Sequence, residues 1–164
     1  MRLDLNYGRG SYPLDLPDHW DITVIRKPPM PVRPDAREAV RTALSQPVDA
    51  RPLAEEARGK TTACILICDI TRPVPNGLLL PEIVRQLLDS GMKPANITVL
   101  VATGLHRPNE GAELEELIGD AWVLNNVKVA NHFARNDADH VNLGPTPRGT
   151  PVKLDRRFVE ADVR

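Results

Sequence analysis

Hydrophobic residues fall along this chain in three patterns, and each predicts a different element. Weak alternation over residues 2–6 and 11–16, broken by Tyr7-Gly8-Arg9-Gly10, predicts a short hairpin, and ITVI at 22–25 predicts a third short strand. Helical spacing comes next. Ala36, Ala39, Val40 and Ala43 share one face between Asp35 and Leu44, and Pro52 followed by acids predicts a short helix over 52–57. Residues 80, 83, 84, 87 and 88 form an amphipathic stripe over Leu80–Leu88, with Pro81 expected in the first turn and Gly91 as the stop. Glu110–Ile118 reads as another helix, with its acids placed early where the helix dipole favours them.

The third pattern is continuous rather than periodic. ACILIC (Ala63–Cys68) and ITVLVA (Ile97–Ala102) are apolar on both faces, and VKVA (Val127–Ala130) follows in the same manner. Strands of that kind with a helix between them imply βαβ units, whose sheet is covered on both sides. The fold class expected is therefore α/β: a parallel or mixed sheet with helices on both faces, preceded by a short N-terminal β-hairpin. RKPPMPVRP (Arg26–Pro34) reads as an extended connector, and GPTPRGTPVKL at 144–154 as loop plus a short strand.

Composition narrows the function classes. A chain of 164 residues suits a single domain over 1–164 that buries about 70 % of its unfolded surface. Aromatic residues make up only 4 %, so the core is expected to be aliphatic. A formal net charge of -1 lacks the basic footprint of nucleic-acid binding. The apolar runs are too short to span a bilayer, and MRLDLNYGRG has no signal-peptide core, so a cytoplasmic location is expected. Cys64 and Cys68 lie four apart on one strand, roughly 13 Å along it and beyond disulfide reach, which favours two small buried side chains.

The polar residues then cluster in one way. The first apolar strand ends in Asp69, Thr71 and Arg72, braced by Pro73 and Pro75. The second ends in Thr103-Gly104-Leu105-His106-Arg107-Pro108, and the third in Asn131-His132, followed by Arg135, Asn136 and Asp137. In a parallel sheet all three groups lie along the carboxyl edge, where open α/β folds bind ligands. Arg72 suits a carboxylate or phosphate, His106 suits acid–base work near neutral pH, and Gly104 admits close backbone approach. Thr103 offers a hydroxyl to an anion, and Asp69 suits orienting a histidine or a ribose hydroxyl. Blander readings stand beside these: an Asp69–Arg72 ion pair bracing a turn, a solvent-exposed His106, a structural His132, and surface charges at Arg107, Arg135 and Asp137. No Walker A, dinucleotide-binding, nucleophile-elbow or zincin motif is present.

DITRPVP (69–75), ATGLHRP (102–108), NHFARND (131–137) and GPTPRGTPV (144–152), leading into the EAD of 160–162, together resemble the N-terminal domain of the nickel-dependent lactate racemase family, which comprises 2-hydroxyacid racemases and epimerases. The opening NYGRG resembles that family's N-terminal hairpin, so the resemblance covers nearly the whole chain. It implies a two-domain isomerase that uses a nickel pincer nucleotide and moves hydride from and to the substrate α-carbon. Carried over by motif, His106 matches one of two acid–base histidines, Arg72 the substrate-carboxylate arginine, and Asp69 an orienting active-site aspartate. Thr71, Thr103 and Gly104 are expected to contact the nucleotide. The tethering lysine, the second histidine, the nickel-ligating histidine and the C-terminal partner domain are expected outside these residues, so the chain by itself is expected to be inactive. Ile70 stands where the family's lactate type has histidine, which is read as a sign of a different substrate, and Phe133 replaces an acid. The competing expectation is a stand-alone module that binds a small anion or nucleotide without catalysis.

Overall fold

A computed structural model describes all 164 residues, which divide into two compact units, Met1–Val32 and Arg33–Arg164. In the first unit β1 (Arg2–Tyr7) and β2 (Gly10–Asp15) pair antiparallel, with Leu3 opposite Leu14 and Leu5 opposite Tyr12. Strand alternation places Leu3, Leu5, Tyr7, Tyr12 and Leu14 on one face of this hairpin. Gly8 supplies the left-handed backbone (φ 57°) that the two-residue turn requires. The strand expected at 22–25 does not form. No neighbouring strand offers these residues a ladder, and Val24 and Ile25 are exposed.

The second unit opens with α1 (Ala36–Ser45), capped by the Asp35 carboxylate accepting from the Glu38 N–H at 2.9 Å, and α2 (Leu53–Glu56). Then come β3 (Ala63–Cys68), α3 (Asn76–Asp89), β4 (Ile97–Ala102), α4 (Gly111–Ile118), α5 (Ala121–Asn126) and β5 (Lys128–Asn131). The three strands form a parallel sheet in the order β3-β4-β5, with Ala63 opposite Ile97 and Val99 opposite Val129. Right-handed crossovers in that order deliver α3, α4 and α5 to the same face. There Ile67, Val99 and Val101 pack against Leu80, Val84, Leu87, Ile118 and Val123 as one aliphatic core. On the other face Cys64 and Leu100 pack with Ala161 and with Phe158 of α6 (Arg156–Val159). Leu66 on that face stays half exposed, at 51 %.

Three details depart from the sequence-based expectation. Helix α3 begins at Asn76, four residues before Leu80, so Pro81 lies inside it and leaves the Gly77 carbonyl without its i+4 donor. Gly77 itself is required by contact: a Cβ there would lie 2.5 Å from the Gly119 carbonyl oxygen. Of the two cysteines, Cys64 is buried and burial pushes its thiol up to about 11, whereas Cys68 is exposed. The tail forms more structure than expected, with β6 (His140–Pro145) and β7 (Pro151–Asp155) pairing antiparallel before α6. The Asp162 carboxylate accepts from the backbone and hydroxyl groups of Thr61 and Thr62 at 2.8–3.1 Å, and Val163 bridges Ala63 in parallel. The acid of the EAD segment thus braces the start of β3. No helix is long and apolar enough to cross a membrane.

Candidate active site

Parallel pairing brings the three strand ends together as the sequence implies. Asp69 follows β3 directly, and two backbone bonds, from the Arg72 N–H to the Asp69 carbonyl and from the Val74 N–H to the Arg72 carbonyl, turn the chain sharply toward α3. The Asp69 side chain points inward and is 95 % buried, yet every polar contact it needs is made. Its Oδ1 accepts from the Thr71 N–H (3.0 Å) and the Thr71 hydroxyl (2.5 Å), while its Oδ2 is in short hydrogen-bond contact with His106 Nδ1. These donors, Thr71 first and His106 second, hold the Asp69 carboxyl below the usual carboxylate range against the opposing effect of burial.

An ionised carboxylate only accepts, so Nδ1 of His106 carries the proton, and in the neutral ring Nε2 is the nitrogen left with a lone pair. The His106 side chain is 55 % exposed, which leaves that nitrogen open to a ligand while its other edge is anchored. The turn that carries it is closed by the His106 N–H donating to the Thr103 carbonyl at 2.9 Å, with Gly104 at φ 58° and open space where a Cβ would lie. Arg72 does not pair with Asp69. Its guanidinium donates to the Thr71 hydroxyl at 3.2 Å and is otherwise exposed. The local ion-pair reading is thereby replaced by a line of contacts, Arg72–Thr71–Asp69–His106, spanning the ends of β3 and β4.

Other residues singled out in the sequence hold the frame rather than face the edge. Thr103 is buried, and its hydroxyl donates to the His132 carbonyl, fastening the end of β4 to that of β5. His132 turns its Nδ1 to Asp155 at 3.0 Å, and Asp155 also accepts from Arg157 at 2.6 and 2.9 Å. Burial pushes the Asp155 carboxyl up, but the hydrogen bonds from Arg157 and His132 prevail and hold it at about 2. Arg107 grips Glu113 through two bonds of 2.5 and 2.7 Å, and Asp137 pairs with Lys153 at 2.8 Å. Ile70 is partly buried and packs against the main core. Phe133 and Leu105 are exposed apolar residues beside the site loops.

Sequence reasoning missed Asn109, and it placed Asn131 at the third strand end without a role. Asn109 is 2 % exposed, and its backbone N–H and carbonyl are both bound by the Asn131 side chain, at 2.9 and 2.8 Å. Its own Oδ1 accepts from the Ile70 N–H at 3.3 Å and its Nδ2 donates to Glu113 at 2.8 Å. A pair of asparagines 22 apart carries no spacing signal. The only cue was that both stand within a few residues of a strand end.

With this geometry established, comparison with known proteins is informative. The family model for the lactate racemase N-terminal domain matches residues 7–164. A lactate racemase of Lactiplantibacillus plantarum is 35 % identical over 127 residues, covering 77 % of this chain and 30 % of that protein. A lactate racemase of Thermoanaerobacterium thermosaccharolyticum is 30 % identical over 163 residues, covering 98 % of this chain and 38 % of that one. The apoprotein structure of lactate racemase from the latter organism superposes with a TM-score of 0.81 at 29 % identity, over 99 % of this chain and 38 % of its own. A Thermotoga maritima protein, at 22 % identity and a TM-score of 0.58, shares the fold over 73 % of this chain and 30 % of its own. The chain thus spans about a third of the length of the lactate racemases it matches.

Proposed function

The chain belongs to the lactate racemase N-terminal domain family, and from that premise we propose that its strand-end edge is one half of the active site of a 2-hydroxyacid racemase or epimerase. The observation that carries this reading is the oriented pair of Asp69 and His106 beside an exposed arginine at the ends of adjacent parallel strands.

In this reading Arg72 clamps the substrate carboxylate through its planar fork, which fixes the α-carbon relative to His106. His106 Nε2 accepts the proton of the 2-hydroxyl. Asp69 holds the ring in the tautomer that makes this atom basic, and stabilises the imidazolium that forms. The protonated ring then donates to the same oxygen, returning the proton when the 2-hydroxyacid is restored. The two contacts from Thr71 and the one from His106 keep that carboxylate ionised against the opposing effect of burial, so the proton stays on His106 and not on its partner.

The family's nickel pincer nucleotide, when bound, supplies an acceptor and donor of hydride at the α-carbon. Open space at Gly104 and the exposed Arg72 guanidinium suit an anionic group beside His106, and Thr71 and Thr103 shape that approach through the loops they brace. No three of the chain's His, Cys, Asp or Glu side chains are grouped to hold a metal ion. By the family resemblance, the nickel ligand, the tethering lysine and the second acid–base group are assigned to the part of the related lactate racemases that this chain does not span. The substrate is assigned as a small 2-hydroxyacid, and the partner as the second domain of the same polypeptide. The reading is tested by loading the full-length protein with cofactor and following single enantiomers of 2-hydroxyacids by chiral chromatography. Conversion to the opposite configuration at C2 supports it, and binding without conversion of any acid would replace it with an anion-binding module.

A further inference from the structure

We infer that Asn109 is a positioning residue that holds Asp69 against His106, an inference that rests on the acid–base role proposed for that pair. Asn109 stands three residues after His106, and its side chain reaches across to the residue immediately after Asp69. The amide's orientation is dictated by its neighbours. The Ile70 N–H can only donate, and the Glu113 carboxylate can only accept, so Oδ1 faces Ile70 and Nδ2 faces Glu113. Its backbone is meanwhile held at both polar atoms by the Asn131 side chain at the end of β5. One buried residue therefore joins the loops that follow β3 and β4 to the end of β5.

The consequence for His106 is geometric. The segment from Thr103 to Asn109 is closed at its start by the His106 N–H bond to Thr103, and anchored at its end by Asn109. Ile70 lies between Asp69 and Thr71, the two residues whose contacts set the Asp69 carboxylate, so a shift at the Ile70 N–H moves both. Asn109 sets the separation of the Asp69 and His106 loops without touching either side chain. An aspartate at this position would keep the acceptor for Ile70 but turn a second carboxylate oxygen toward Glu113, which opens the clamp by repulsion.

The test uses full-length protein labelled with 15N-histidine, and compares wild type, N109D and N109D/E113Q. Wild type is expected to show a downfield His106 Nδ1–H resonance protected by Asp69, identified by its loss in D69N. In N109D that resonance should broaden or vanish with fold retained by circular dichroism, and kcat should fall about 100-fold. KM should change less than kcat, because the Arg72 guanidinium is not itself substituted. Adding E113Q restores a donor facing the introduced carboxylate, and should recover the resonance and at least tenfold in kcat. Should N109D not fold, E113A removes the same contact from its outer end and is expected to broaden the resonance likewise. A sharp, protected His106 resonance in N109D, or in E113A where N109D does not fold, would overturn the inference. The resonance is read without turnover, so a protein that interconverts no 2-hydroxyacid would refute the proposed reaction while the spectrum still decides the role of Asn109.

Discussion

Replacing Gly77 by alanine is ordinarily a stabilising change inside a helix, worth about 1 kcal/mol in propensity. Here the opposite is expected. A Cβ at position 77 would meet the Gly119 carbonyl oxygen at 2.5 Å, its carbonyl carbon at 2.9 Å and its Cα at 3.2 Å, all of them backbone atoms. No rotamer relieves such a contact, so α3 and the turn after α4 must part by about 1 Å to reach ordinary van der Waals distance. Overpacking of this kind costs about 1–3 kcal/mol, and more when backbone must move. Gly119 resists moving because its own backbone is left-handed (φ 67°) and its N–H closes α4 on the Glu115 carbonyl. Because the contact is with backbone, the cost falls at the upper end, about 2–3 kcal/mol, so set against the propensity gain G77A should lose about 1–2 kcal/mol and lower the melting temperature by about 2–8 °C for a chain of this size. Urea unfolding at an unchanged m-value, supported by a thermal scan, measures it. A midpoint at or above wild type would refute the close backbone contact. The change should also be felt at the site, because α3 follows within five residues of Arg72 and a displaced helix start drags the Asp69–Arg72 turn with it.

Three further predictions concern the polar residues. If the proposed reaction holds, R72A in the full-length protein should raise KM by about 10–100-fold, from loss of charge-assisted hydrogen bonds to the proposed substrate carboxylate. H106A should mainly lower kcat, by about 10²–10⁴-fold, and steady-state kinetics on both enantiomers separate the two effects. Asp155, held down at about 2 by Arg157 and His132, contributes stability that is complete above its unfolded pKa of about 3.9. That stability is lost as pH falls through about 2, so the wild type minus D155N difference in unfolding free energy should shrink between about pH 4 and 2. Denaturation at several pH values checks this, and a difference that stays constant would contradict it.

The elements that the sequence disclosed were those whose pattern is local and continuous. β3 and β4 appear where their apolar runs place them, because a continuous apolar run has no polar interruption to blur its ends. The start of α3 was obscured by Asn76 and Gly77. Neither is apolar, yet Asn76 is buried with its amide donating to the Leu117 carbonyl at 3.0 Å, a tertiary contact that no periodicity reports. α5 and α6 span six and four residues, too few for a helical period to register. Prolines 145, 147 and 151 disguised the β6–β7 hairpin as loop. ITVI has the composition of a strand but no partner, and a strand is made by its neighbours as much as by its residues. At the site, convergence of Asp69, Arg72 and His106 was legible because parallel topology alone delivers it. The engagement of the Thr103 hydroxyl by the His132 carbonyl, the His132–Asp155 pair 23 residues apart, and the Asn109 clamp all depend on side-chain directions, which only coordinates supply.

The central claim is that His106 takes a proton from the hydroxyl while the α-hydrogen leaves and returns as hydride. The most direct measurement incubates the cofactor-loaded full-length protein with single-enantiomer 2-hydroxyacids in deuterium oxide. Optical rotation and α-deuterium are then followed together by polarimetry and NMR. Inversion without deuterium at the α-carbon is the predicted result. Inversion accompanied by α-deuterium would mean that the proton is taken from carbon, and would contradict it.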